Sequence, residues 1–235
     1  MRHQTLQSIQ RYLVIISFLS LLGISAVSLR LAGYDLAAIQ RWLPPGLIGV
    51  LFNRQIAIIS GHAGNDSGAI CIDEAGEPTV TEAAIVAAIA ERVAGQLRRG
   101  GAQVTILDEF DTRLTNLQTD LLISLHADSC IGASGYKFAQ NGNSAINSAI
   151  TATIGACFEK FYAAATELAP HPNTITHAMT DYHAFRRIDP HTPALILETG
   201  FIGGDQQILV QRPDRIADGI TESIRCFFET EVAQT

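Results

Sequence analysis

The stretch IAIISGHAG (residues 56–64) and its counterpart DLLISLHADS (residues 120–129) are apolar runs that deliver a histidine among small residues. Runs of about five residues, apolar but for one serine, are too few for a helix. They read as strands buried on both faces, the kind found in helix-covered parallel sheets. Two such strands, each ending at an imidazole, set the expectation for everything around them.

Working outward, EAAIVAAIAERVAGQLRRGG places Ile85, Ile89, Val93 and Leu97 on one face of a long helix that Gly100 and Gly101 terminate. AQVTIL (102–107) and PALILE (193–198) read as further strands, and SGYKFA around Tyr136 as a short edge strand. Ile146, Ile150, Ile154, Phe158 and Phe161 predict a second long helix over 144–168, whose apolar face packs most economically on the sheet. Ile216, Ile220, Ile224 and Phe227 predict a last helix from Pro213. The fold class is therefore α/β: a mostly parallel, helix-covered sheet, with its functional edge at the carboxyl ends of the strands.

The N-terminus is different. Tyr12 to Leu29 is 18 residues without a charge, between Arg11 and Arg30. At about 1.5 Å per residue such a helix nearly crosses a hydrocarbon core of about 30 Å. Residues 1–33 are thus expected to be a hydrophobic helix, either an uncleaved membrane anchor or a signal peptide cut after Ala26-Val27-Ser28. Residues 34–54, broken by Pro44-Pro45, read as a juxtamembrane stalk, and 55–230 as the catalytic domain. The bulk of the chain is expected outside the cytoplasm.

A net charge of −7 argues against a nucleic-acid partner. Cys71, Cys130, Cys157 and Cys226 suit an oxidising compartment and contain no C-x-x-C pair, so a zinc–thiolate site is not expected. Four cysteines allow three pairings, and nothing in the sequence selects one.

Three strands end in a functional group at the ligand edge: His62, His126 and Glu198. Glu82, opening the first long helix, is a fourth candidate. Two imidazoles and one carboxylate bind zinc and leave a tetrahedral position open, and a further carboxylate can move a proton. Each also has a structural reading. A histidine after a strand can simply be hydrogen-bonded, Thr79-x-x-Glu82 has the form of a capping box, and Glu198 has Arg186 or Arg187 as possible partners. His3, His171, His177, His183 and His191 read as surface or terminal residues.

Taken together, IAIISGHAGNDSGA, the helix-opening glutamate, DLLISLHADS, GYKFA and PALILETGF resemble zinc-dependent N-acetylmuramoyl-L-alanine amidases of the type 3 catalytic domain family. The resemblance runs from Ile56 to Phe228. It implies zinc held by His62, Glu82 and His126, with Glu198 as the catalytic residue. It also implies a peptidoglycan substrate, cut at the amide between N-acetylmuramic acid and L-alanine. A non-catalytic wall-binding protein on the same fold, or a zinc peptidase for another wall bond, are the alternatives. The chain departs from the family pattern at Ala63 (usually glycine), at Asp128 (usually asparagine) and at Ile202-Gly203-Gly204, where an asparagine is usual.

Overall fold

Pairing of the short apolar runs builds a five-stranded sheet in the order Gln103–Leu107, Gln55–Ser60, Leu121–Asp128, Ala194–Phe201, Lys137–Gln140. The computed structural model describes residues 2–31, 49–140 and 148–234. Its strands are β1 (Gln55–Ser60), β4 (Gln103–Leu107), β5 (Leu121–Asp128) and β7 (Ala194–Phe201), all mutually parallel. The edge strand β6 (Lys137–Gln140) runs antiparallel to β7. The expected α/β sheet is therefore present.

The order also fixes where a ligand goes. From β1 the chain moves to β4 on one side, then returns to β5 on the other. The direction of winding reverses between β1 and β5, and the crevice beyond their carboxyl ends is where such sheets bind ligands. His126 lies in β5, and His62 stands two residues past the end of β1.

Periodicity places the helices. Helix α2 (Glu82–Arg99) buries Ile85, Ile89, Val93 and Leu97 as the spacing requires, and the chain reverses at Gly100 and Gly101. With α6 (Pro213–Gln234) it covers the sheet face formed by Ile56, Ile58, Leu121, Ile123, Leu125, Leu195 and Leu197. The opposite face (Ala57, Ile59, Leu122, Ala194, Ile196) is covered by Met179, Tyr182, Phe185 and Ile188, from short turns that include α5 (His177–Thr180) and the 3-10 turn His183–Arg186.

Several details differ from the sequence reading. The loop after His62 contains a hairpin, β2 (Ile70–Ile72) and β3 (Pro78–Thr81), turned around Asp73. The described part of the second long helix is α3 (Ser148–Cys157), a π-helical turn (Phe158–Tyr162) and α4 (Ala163–Thr166). The wider turn moves the buried stripe by one residue, so Tyr162 rather than Phe161 enters the core, and its hydroxyl donates to the Thr199 carbonyl at 2.6 Å. This helix lies in the α2/α6 layer, with Tyr162 against Gly219, as its apolar face predicted. Strands β5 and β7 run beyond the expected ends, so His126 and Glu198 sit within their strands.

The cysteines pair as Cys71–Cys130 and Cys157–Cys226, a choice the sequence left open. The first ties β2 to the loop after β5, and the second ties α3 to α6. Helix α1 (Arg2–Leu31) falls in a separate unit, Met1–Ile48, while Gly49–Thr235 forms the other. The described large apolar side chains of α1, from Tyr12 to Val27, are exposed. Among the described residues no helix is long and apolar enough to cross a membrane, so the expected spanning anchor is not borne out. Most of the expected stalk lies outside the described residues.

Replacing Cys157 and Cys226 together by alanine is expected to lower stability by about 2–5 kcal/mol, because the loop they close is a large one. Urea unfolding under oxidising conditions measures this, and zinc content should be unchanged.

Candidate metal centre

Three side chains from three elements converge beyond the β1/β5 crevice. His62 Nε2 lies 3.2 Å from Glu82 Oε2, and His126 Nδ1 lies 2.9 Å from Glu82 Oε1. One ligand atom from each of His62, Glu82 and His126 falls within 4.8 Å of the others. Two ring nitrogens and a carboxylate oxygen on one small volume are the donor set of a catalytic zinc site with a position to spare.

Local backbone chemistry aims each group. His62 occupies the left-handed region at φ 64°, a conformation uncommon for a residue with a side chain. Four hydrogen bonds hold it there. Its N–H donates to Glu109 (2.9 Å), its carbonyl accepts from Asn65 and Asp66, and its Nδ1 meets Asp66 Oδ1 at 2.5 Å. The small neighbours noted in the sequence now have a reason. A Cβ on Gly61 would sit 2.6–2.7 Å from the His126 ring, and one on Gly68 (φ 61°) would strike Glu82 Oε2 at 2.6 Å and the His62 ring at 2.7 Å. The glycines leave the space the site fills.

The capping reading of Glu82 is overturned. Thr81 is the N-cap of α2 and accepts from Ala84 N–H, while Thr79 donates to the Cys71 carbonyl. The Glu82 carboxylate turns away to meet both histidines and accepts from Ala69 N–H (3.0 Å) and Ala127 N–H (3.1 Å). Burial pushes its pKa up, but the bonds from His126 and the backbone amides outweigh this and hold it low. For His126, burial opposes the charged form, yet contacts to Glu109 and Glu82 carry it up to about 10 in the metal-free protein.

Glu198 is the register partner of His126 on the neighbouring strand, so the two project from the same sheet face. Lys137 is its register partner on the other side, giving a row His126–Glu198–Lys137. Glu198 Oε2 is buried with no hydrogen-bond partner among the described residues. Burial raises its pKa to about 7, with the nearby His126 charge opposing and those of Glu82 and Asp128 adding. The arginines offered as partners are engaged elsewhere, Arg186 by Asp181 and Arg187 by the Asp111 carbonyl.

Two site residues escaped the sequence reading. Glu109, just past β4, and His183, assigned to the surface, meet at 2.8 Å beside His126. Glu109 was within reach of the same rule that found the others, since it too follows the carboxyl end of a parallel strand. His183 carries no local signal.

The sequence model of the N-acetylmuramoyl-L-alanine amidase family matches residues 56–226. No curated protein sequence matches the chain. Among solved structures, the N-acetylmuramyl-L-alanine amidase of Mycobacterium smegmatis aligns with a TM-score of 0.61 at 15% identity, covering 77% of this chain and 99% of that one. The CwlD amidase of Clostridioides difficile, solved in complex with the GerS lipoprotein, gives 0.58 at 15% identity over 76% and 100%. The catalytic domain of CwlV from Bacillus (Paenibacillus) polymyxa gives 0.54 at 21% identity over 77% and 98%. At these identities the structural likeness shows a common fold.

Gly61→Ala is expected to displace the His126 ring and lower zinc content well below that of the unaltered protein. Metal analysis of the purified variant, alongside circular dichroism to establish that it folds, checks this.

Proposed function

The chain belongs to the N-acetylmuramoyl-L-alanine amidase family, and from that premise we propose that it is a zinc-dependent hydrolase of the amide between N-acetylmuramic acid and L-alanine in peptidoglycan. The observation that carries the reading is the His62–Glu82–His126 cluster, with the unpartnered Glu198 carboxylate beside it. The donor set fits zinc: two imidazoles, one carboxylate oxygen and no thiolate. When bound, zinc polarises the amide carbonyl and lowers the pKa of water toward about 7.

The residues of the chain supply the rest. Glu82 holds the two imidazoles in mutual reach, and Asp66 orients His62 through Nδ1. Glu198 takes a proton from the attacking water at its free Oε2 and returns it to the leaving amine. Its environment suits both steps, since burial favours the acid while a neighbouring cation favours the carboxylate. The α3–α4 helix lies in the layer opposite the sheet face that carries His126 and Glu198, which supports an open groove that works without an activator.

Residues 55–230 constitute the catalytic domain in this reading. Its substrate lies outside the cytoplasm, and two disulfides suit that compartment. We read residues 1–33 as the export segment, on the uncharged run Tyr12 to Leu29.

Digestion of purified peptidoglycan is the test: new L-alanine N-termini and peptide-free glycan are expected. A cut at another peptide bond would favour a different wall peptidase, and no product would favour a non-catalytic wall-binding protein. Glu198→Gln should keep the fold and about one zinc per chain yet lose about 10²–10⁴-fold in rate. Near-normal turnover with normal zinc would remove Glu198 from the mechanism.

A further inference from the structure

Beside the candidate ligands, the described groups include one carboxylate that gathers four polar groups from three segments. Glu109 is 5% exposed. Its Oε2 accepts the His62 backbone N–H at 2.9 Å and lies 3.4 Å from His126 Nε2. Its Oε1 accepts from the Tyr182 hydroxyl at 2.7 Å and faces His183 Nε2 at 2.8 Å. Tyr182 is itself bonded to Ser124 and stands edge-on to the His126 ring, while Phe110 and Tyr182 flank the His183 ring. A carboxylate taken out of water costs several kcal/mol unless donors surround it. So complete a set of donors points to a role beyond filling space.

The two imidazoles are used in opposite senses. His62 turns Nε2 to the cluster and gives Nδ1 to Asp66, whereas His126 turns Nδ1 to the cluster and leaves Nε2 facing Glu109. A neutral imidazole carries one proton. When one ring nitrogen is a ligand the other is a donor, and inside a protein that donor needs an acceptor. His126 Nε2 is buried with no hydrogen-bond partner among the described residues, and Glu109 Oε2, 3.4 Å away, is the acceptor it faces.

We propose that Glu109 is a positioning residue of the metal centre, setting the tautomer and ring orientation of His126 as Asp66 does for His62. Through the His62 N–H it also fixes the left-handed turn that carries the first imidazole. One carboxylate thus governs both nitrogen ligands, from the side of the sheet where β4 ends. The inference rests on the zinc reading above, and the experiment separates the two.

The full chain is stripped of metal, and its Zn²⁺ affinity is measured by competition with a chromogenic chelator. The unaltered protein is compared with His126→Ala, Glu109→Gln and Glu109→Asp, well below the melting temperature of each metal-free protein. Glu109→Gln should bind zinc about 10–100-fold more weakly while folded, and Glu109→Asp should recover part of the loss. In the zinc-loaded protein the Nε2–H signal of the His126 ring should shift between the unaltered protein and Glu109→Gln, because the proton loses its carboxylate acceptor. Unchanged affinity in folded Glu109→Gln would overturn the proposal, whatever its melting temperature, because a purely structural carboxylate changes stability and not affinity. If the unaltered protein binds no better than His126→Ala, the zinc reading itself fails, and this one with it.

Discussion

A carboxylate buried at the first turn of a helix, claimed by two imidazoles and two backbone amides, is the constraint on which the rest of this domain depends. Glu82 stands at the N-terminus of α2, where the helix dipole favours negative charge. Its bonds reach the His62–Ala69 loop on one side and β5 on the other. Removing it would leave two imidazoles and two amides without their acceptor. The helix, the loop and the strand are thereby held to one geometry, and that geometry is the site.

Close approach of this kind requires space, and the chain provides it by omitting side chains. Gly61 and Gly68 make room for the His126 ring and the Glu82 carboxylate. The same device explains one departure from the family pattern. Gly203 and Gly204 lie directly against the backbone of residues 131–133, so no side chain fits at either position. Cys71–Cys130 pins that loop from its other end, and Asp205 secures it by accepting from the Ser134 hydroxyl and the Gly135 N–H.

A second departure is balanced by charge. Asp128 adds a negative group near Glu198. Lys137 answers it at 2.5 Å and is held further by the carbonyl and hydroxyl oxygens of Thr174 at 2.9 Å. The buried pair leaves Glu198 between a histidine and a lysine in the row across β5, β7 and β6. An unpaired aspartate there would have made ionisation of Glu198 costlier, and the pairing with Lys137 offsets that cost.

Local pattern sufficed for the strands of the main sheet and for the long helices packed on it, though not for the β2/β3 hairpin or the π turn. Runs such as IAIIS and LLISL form strands and Ile85 to Leu97 form a helix face because burial rewards those periods wherever the chain lies. The strand-end rule likewise exposed His62, His126 and Glu198, since parallel strands present their carboxyl ends to one edge. What the sequence could not carry was partnership across distance. The turning of Glu82 away from its cap, the pairing of four cysteines and the meeting of Glu109 with His183, 74 positions apart, depend on which loops the closed sheet brings together. The π turn that exchanges Phe161 for Tyr162 has the same origin, because packing against α6 and the sheet selects the buried ring. Sequence determined which groups stand at the edge of the sheet. Tertiary structure decided which of them touch, because buried charge and buried donors are satisfied only by neighbours the fold supplies.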